Sequence, residues 1–268
     1  MVDLYASVYN SEGKLVKGLS RDDFIVFDEG VPQAISQFSR EYIPLSVLIL
    51  LDTSGSMAGI KLDSARRSLA QFLKRLNDGD EAMLMTFHSR PRITQTFTQN
   101  LEKIRNTLRR LEGNGSTALY DAILQSLEVI RESRNPRRTL LLISDGINTF
   151  GRSALKDTLS SLRKQSVALY AIGIESDSPD DVQERAVTRS VLNQLTDSAG
   201  GEAFMITDAS NLGLICRTIS DQMHNQYSLG YYPPKTTEGE WRNIRIVTRI
   251  PGLRVIPSKT GYYPSPPK

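Results

Sequence analysis

The stretch LSVLILLDTSGSMAG, Leu45 to Gly59, runs a nearly unbroken apolar segment into an aspartate and then presents Asp52, Ser54 and Ser56 at alternate positions. Three oxygen-bearing side chains in five residues could grip a metal ion, open a phosphoryl-transfer site, or cap the helix that follows. Two later segments offer partners: GNGSTALYDA places Thr117 just before a helix start, and LLISDG ends a second apolar run on Asp145. All of these donors are hard oxygens. No histidine or cysteine lies in the motifs, which argues against zinc and for Mg²⁺, Mn²⁺ or Ca²⁺. Hydroxyls are neutral ligands, so an ion held directly by one carboxylate stays electron-poor and attracts another from elsewhere. Asp121 reads as a helix-surface residue, and His88 and His224 as ordinary surface histidines.

The elements that must position these residues alternate between strand and helix from about Ile43 to Gln226. After the strand Leu45–Leu51, apolar residues at three- and four-residue spacing (Leu62, Ala65, Leu69, Phe72, Leu73, Leu76) give one helix face ending at Asn77-Asp78-Gly79. Strands follow at 82–87 and, with weaker apolar content suiting a sheet edge, at 93–98. Helices are expected through Leu101 to Leu111 and Leu119 to Ile130, then a strand at 140–143. A helix through Leu155, Leu159 and Leu162, a strand at 167–174, and a helix with Val187, Val191 and Leu195 inward come next. A strand at 203–206 and a helix through Leu212, Ile215, Ile219 and Met223, with Cys216 on the same side, close the series. This pattern predicts a doubly wound α/β domain with a mainly parallel six-stranded sheet. In such a sheet ligands bind beyond the carboxyl ends of the strands, where strand order reverses. If the strands ending at Asp52 and Asp145 are neighbours, the two carboxylates face one crevice.

The chain ends read differently. Val2, Leu4, Ala6 and Val8 alternate with less apolar residues, a hairpin is expected about Asp28-Glu29-Gly30, and Ile244, Ile246, Thr248 and Ile250 are in phase before Pro251-Gly252. Neither end can bury a core alone. We therefore expect residues 1–42 and 227–268 to pair into one small antiparallel β unit, with a domain at 43–226 inserted between them and a loose tail from Pro264. The tyrosines and Trp241 near the C-terminus read as packing residues of that unit.

Composition bounds the rest. With 268 residues, 39% hydrophobic and 24% charged, the chain matches an ordinary globular protein. A formal charge of +3, from 33 basic and 30 acidic residues spread along the chain with only small clusters such as Arg137-Arg138, gives weak support for nucleic-acid binding, and no nucleic-acid partner is expected. No apolar run approaches the about 20 residues of a membrane span. One cysteine, Cys216, excludes an internal disulfide framework and a thiolate metal site. Met1-Val2-Asp3 enters a strand pattern without a signal peptide; we expect a trimmed sequence, which leaves the natural compartment open.

The motif DTSGSM, with Thr117 and the aspartate of SDG following in order, resembles the D-x-S-x-S signature of von Willebrand factor A (VWA) domains and their metal-ion-dependent adhesion site. The resemblance covers about Ile43 to Gln226. It implies that Asp52, Ser54 and Ser56 hold a Mg²⁺-class ion, that Thr117 and Asp145 bind directly or through water, and that a partner protein's Asp or Glu supplies the last ligand. The flanks GKLVKGLSRDDFIVFDEGVPQAISQF and WRNIRIVTRIPGLRVIPSKTGYY are similar to segments of the VWFA-related acidobacterial proteins, a bacterial and often exported family, which implies an extracytoplasmic location. Three functions compete: a metal-dependent protein-binding module, a structural module with a stabilising ion, and a Mg²⁺-dependent phosphohydrolase. Phosphohydrolases of the haloacid dehalogenase type usually carry a second aspartate two residues after the first, where Ser54 stands here. A serine hydrolase lacks an evident histidine base. The expectation is a binding protein, not an enzyme.

Overall fold

The computed structural model describes residues 1–146, 148–175, 178–234 and 240–264; the expected tail beyond Pro264 lies outside them. The chain opens with β1 (Val2–Tyr9), β2 (Phe24–Asp28), β3 (Val31–Gln33) and β4 (Gln37–Ser39). Glu29 and Gly30, joining β2 to β3, both have positive φ, +50° and +78°. That is the signature of a two-residue hairpin whose turn twist matches its strands.

The central series follows: β5 (Leu45–Asp52), α1 (Ile60–Leu73), β6 (Glu81–Phe87), β7 (Pro91–Thr98), α2 (Leu101–Leu108), α3 (Leu119–Val129), β8 (Arg137–Ser144), α4 (Leu155–Arg163), β9 (Val167–Ile174), α5 (Val182–Ala199), β10 (Gly201–Ile206) and α6 (Leu212–His224). The six strands lie in the order β10-β9-β8-β5-β6-β7, all parallel except the edge pair β6–β7. Every residue of β5 is buried, because helices cover both faces. Leu45, Val47, Ile49 and Leu51 pack with α1, α2 and α6, whereas Leu48 and Leu50 pack with α3, α4 and α5. The two-residue period of the strand thus feeds two separate cores.

The chain closes with β11 (Tyr227–Tyr231), β12 (Arg242–Thr248), β13 (Arg254–Pro257) and β14 (Gly261–Tyr262). These join the N-terminal strands in two antiparallel sheets, β13-β1-β11-β4 and β14-β12-β2-β3. Val2, Leu4, Ala6, Val8, Phe24, Val26, Leu229, Ile244 and Ile246 share a third core between them. At its edge Asp28, fully buried, accepts hydrogen bonds from Arg242 Nε (2.8 Å) and from the Tyr231 and Tyr262 hydroxyls (2.9 Å each). Ile250 departs from the expected phase. β12 ends at Thr248, so Ile250 falls in the turn and is 40% exposed.

Two further expectations are corrected. Val187 is 49% exposed, because the buried face of α5 runs through Thr188, Leu192, Leu195, Thr196 and Ala199. His224 is no ordinary surface residue. It is half-buried, with Nδ1 2.8 Å from the Ser220 carbonyl and Nε2 2.8 Å from Asp80 Oδ2. The ring is thus held from both sides, between Ser220 on its own helix and the buried carboxylate of Asp80. Burial works against the charge on Asp80, but hydrogen bonds from His224, the Tyr42 hydroxyl and the Leu45 and Asn77 N–H groups hold its carboxyl below the usual range.

Candidate functional site

β5 and β8 are neighbours, and strand order reverses between them: the chain goes from β5 outward to β6 on one side and returns to β8 on the other. The crevice of an open α/β sheet lies beyond this point. Asp52 ends β5 there, and Asp145 follows the last residue of β8.

Asp52 is fully buried. Its Oδ1 accepts the Ser54 N–H at 2.8 Å, and its Oδ2 accepts the Ser144 hydroxyl at 2.6 Å. Ser144 Oγ in turn accepts the Gly146 N–H at 2.9 Å, tying the two strand ends together. Ser54, also buried, has its Oγ 3.1 Å from that of Ser56, which is exposed at the mouth. Neither serine side chain caps a helix: the short 3₁₀ turn at Gly55–Met57 has no side-chain cap bond from Ser54, and Gly59 stands at the start of α1. Their hydroxyls thus meet each other rather than a helix end.

Thr117 is buried on the loop before α3. That loop is laced to the first one, with the Asn114 N–H on the Thr53 carbonyl and the Gly55 N–H on the Gly115 carbonyl, both at 2.9 Å. The Thr117 N–H donates to Thr149 Oγ1 at 2.9 Å, and its carbonyl accepts the Thr149 and Phe150 N–H groups. Asp145 is half-buried, with Oδ2 3.1 Å from the Lys61 ammonium of α1. Among the described residues no cluster of three or more His, Cys, Asp or Glu exists; the donors gathered here are hydroxyls and two carboxylates.

Burial pushes the Asp52 carboxyl up to about 6, against the hydrogen bonds from Ser144 and Ser54, with the Asp145 charge adding to the rise. Raised above an unfolded value of about 3.9, it contributes stability present below about pH 4 that is lost as pH rises through about 6. A cation ligated by Asp52 must displace that proton. The apparent affinity for Mg²⁺ is therefore expected to fall about tenfold from pH 7 to pH 5, measured by calorimetric titration at constant ionic strength. An affinity flat across this range would remove Asp52 from the ligand set.

Several supporting residues carried no local signal. Ser144 and Lys61 engage the two carboxylates from elements far off in sequence. Asp121, expected at the helix surface, lies part-exposed on α3 and also holds the loop after β8: its carboxylate accepts the Arg152 and Ser153 N–H groups. His88 is half-buried and satisfied. Its Nδ1 accepts the Ser89 N–H at 2.7 Å, and its carbonyl receives the Ala118 N–H that starts α3.

Residues 47–148 match the family model of the von Willebrand factor type A domain, which together with the sheet order supports a VWA domain in this chain. Among curated proteins, the chain is 24% identical over 198 residues to inter-alpha-trypsin inhibitor heavy chain H4 of Homo sapiens, covering 68% of this chain and 20% of that protein. It is 27% identical over 150 residues to the Sus scrofa H4, covering 51% and 16%. The chain thus spans about a fifth or less of these relatives' length. Among solved structures, a von Willebrand factor type A protein from Catenulispora acidiphila superposes over 97% of this chain and 74% of its own, with TM-score 0.60 and 13% identity. The vWF domain of the type V pili tip protein Mfa5 from Porphyromonas gingivalis covers 74% of this chain and 99% of its own, with TM-score 0.55 and 13% identity. Both likenesses are of fold.

Proposed function

We propose that this chain is a divalent-metal-dependent protein-binding module rather than an enzyme. In this reading Asp52, Ser54, Ser56, Thr117 and Asp145 hold Mg²⁺, with Mn²⁺ or Ca²⁺ as substitutes, and an Asp or Glu of a partner protein completes the shell. The observation that carries it is Asp52, a fully buried carboxylate at the switch point with no cationic side chain within ion-pair distance among the described residues. A charge buried without a counter-charge costs several kcal/mol. Its immediate neighbours are hydroxyls and an N–H, the hard-oxygen setting that suits Mg²⁺. Lys61 neutralises Asp145 instead, which favours holding Asp145 one water away and leaving the ion electron-poor. The ion would supply Lewis acidity toward the incoming carboxylate.

The flanking unit, assigned to 1–42 and 227–268, would then carry a domain at 43–226. An extracytoplasmic setting fits the pilus proteins among the structural neighbours, Mfa5 and the PilB minor pilin from Streptococcus sanguinis. No helix of the described residues is long and apolar enough to cross a membrane.

The test is affinity capture from the native extracellular fraction on the immobilised chain, in Mg²⁺ and again after chelation. A partner retained in Mg²⁺ and released by chelator, and absent from an Asp52→Asn column, is the expected result. Capture that survives chelation while calorimetry still reports a bound ion would reduce the metal to a stabiliser. A stabilising ion has its own physical basis, since ligation of the folded state alone adds about RT ln(1 + [L]/Kd).

A further inference from the structure

At the opposite end of the sheet from Asp52, a cavity of about 170 Å³ lies between the α/β core and the strands from the chain ends. Arg137, Arg138 and Ser166 line it from the amino ends of β8 and β9; Asp3, Ser258 and Lys259 line it from the other side. β8 alone spans eight residues, so about 25 Å separates this cavity from the candidate metal site.

Its charge is unbalanced. Arg137 is buried, and its guanidinium donates to the Ile43 and Met223 carbonyls and to Gln226 Oε1, all neutral acceptors, while lying 5.0 Å over the Tyr5 ring. Arg138 donates to Ser133 Oγ and the Arg131 carbonyl, again neutral. Lys259 has neither a hydrogen bond nor an ion pair among the described residues, and burial holds its ammonium below the ordinary lysine range, with the Asp3 charge working against that shift. Arg137 and Lys259 thus line it with one carboxylate, Asp3, that pairs directly with neither, while Asp80 acts on Arg137 from outside the lining and the Arg138 guanidinium is held toward Ser133 and Arg131.

We propose that this cavity is a binding site for a small tetrahedral oxyanion of the phosphate or sulfate class. Two cationic side chains held by neutral acceptors or by none, with no carboxylate in direct contact, favour an anionic occupant. The donors also suit it. Lys259 has three free N–H bonds, and Ser258 Oγ accepts the Tyr5 N–H at 3.0 Å, which leaves its own proton to donate. The volume admits a tetrahedral oxyanion together with ordered water. Because the lining comes from both the inserted core and the chain ends, a bound anion ties the two together.

The experiment is a calorimetric titration of the full chain with inorganic phosphate in resin-treated, divalent-free buffer, at constant ionic strength set with chloride. Saturable one-to-one binding is expected, weakened about tenfold in Lys259→Met and several-fold in Ser166→Ala, retained in Lys259→Arg, and competed by sulfate. Acetate is expected to compete poorly. Absence of saturation, or equal affinity in wild type, Lys259→Met and Ser166→Ala, overturns the site. Acetate competing as well as sulfate overturns the assignment to a tetrahedral oxyanion. Circular dichroism on each variant separates lost binding from lost fold, and Ser166→Ala, a small change at a hydroxyl, decides the matter if Lys259→Met does not fold.

Discussion

Asp52→Asn is expected to weaken Mg²⁺ binding at least about 100-fold while leaving the metal-free protein as stable as wild type or more so at pH 7. The first effect follows from removing the charged ligand of an otherwise neutral first loop; disturbing only an outer partner of a metal ligand already costs about 10- to 100-fold. The second follows from the raised carboxyl. At pH 7 the buried aspartate is charged in a place that disfavours charge, and a neutral amide of the same shape still offers Oδ1 to the Ser54 N–H. The decline in metal-free stability between about pH 4 and about pH 6 is expected to flatten in the variant. Urea unfolding across pH, with and without Mg²⁺, reads both effects at once. A variant that keeps wild-type Mg²⁺ affinity would falsify the site assignment.

Gly146→Ala is expected to destabilise the fold by about 2–5 kcal/mol, from backbone strain and overpacking together. Gly146 has φ +93°, and a Cβ there would stand 2.3 Å from Thr188 Cγ2. Thr188 is 2% exposed on α5. The two contributions separate in a double-mutant cycle. Thr188→Ala in the Gly146→Ala background relieves the clash but not the φ, so it is expected to recover about half of the loss. Because Gly146 also donates its N–H to Ser144 Oγ, the same substitution shifts the hydroxyl that holds Asp52 and lowers metal affinity with it. Denaturant midpoints of the four proteins decide this; a fully additive cycle would show that Thr188 is not what the new methyl meets.

What the sequence made legible was whatever is written locally. The alternating donors of DTSGSM, the apolar run before each aspartate and the two-residue phase of β1 each come from neighbouring residues. The adjacency of β5 and β8 was a condition that the sequence could state but not meet, and the sheet order meets it. Contacts between distant segments were out of reach. Lys61 meets Asp145 across 84 residues and His224 meets Asp80 across 144, and nothing in either local pattern marks them. The buried stripe of α5 was misplaced for a different reason. Thr188 and Thr196 sit in it, and a pattern search that counts only apolar residues slides toward Val187.

The split of the antiparallel sheets between the two chain ends also has a cost in time. Tyr231 reaches Asp28 across 203 residues, with the whole α/β core between them. At a synthesis rate of about 5–20 residues per second, β1 to β4 leave the ribosome about 10–40 s before the C-terminal strands that complete their sheets. During that interval β1 and β4 have no strand partner and the β2–β3 hairpin lacks β12, so a nascent chain halted before Tyr227 presents open strand edges that nucleate aggregation.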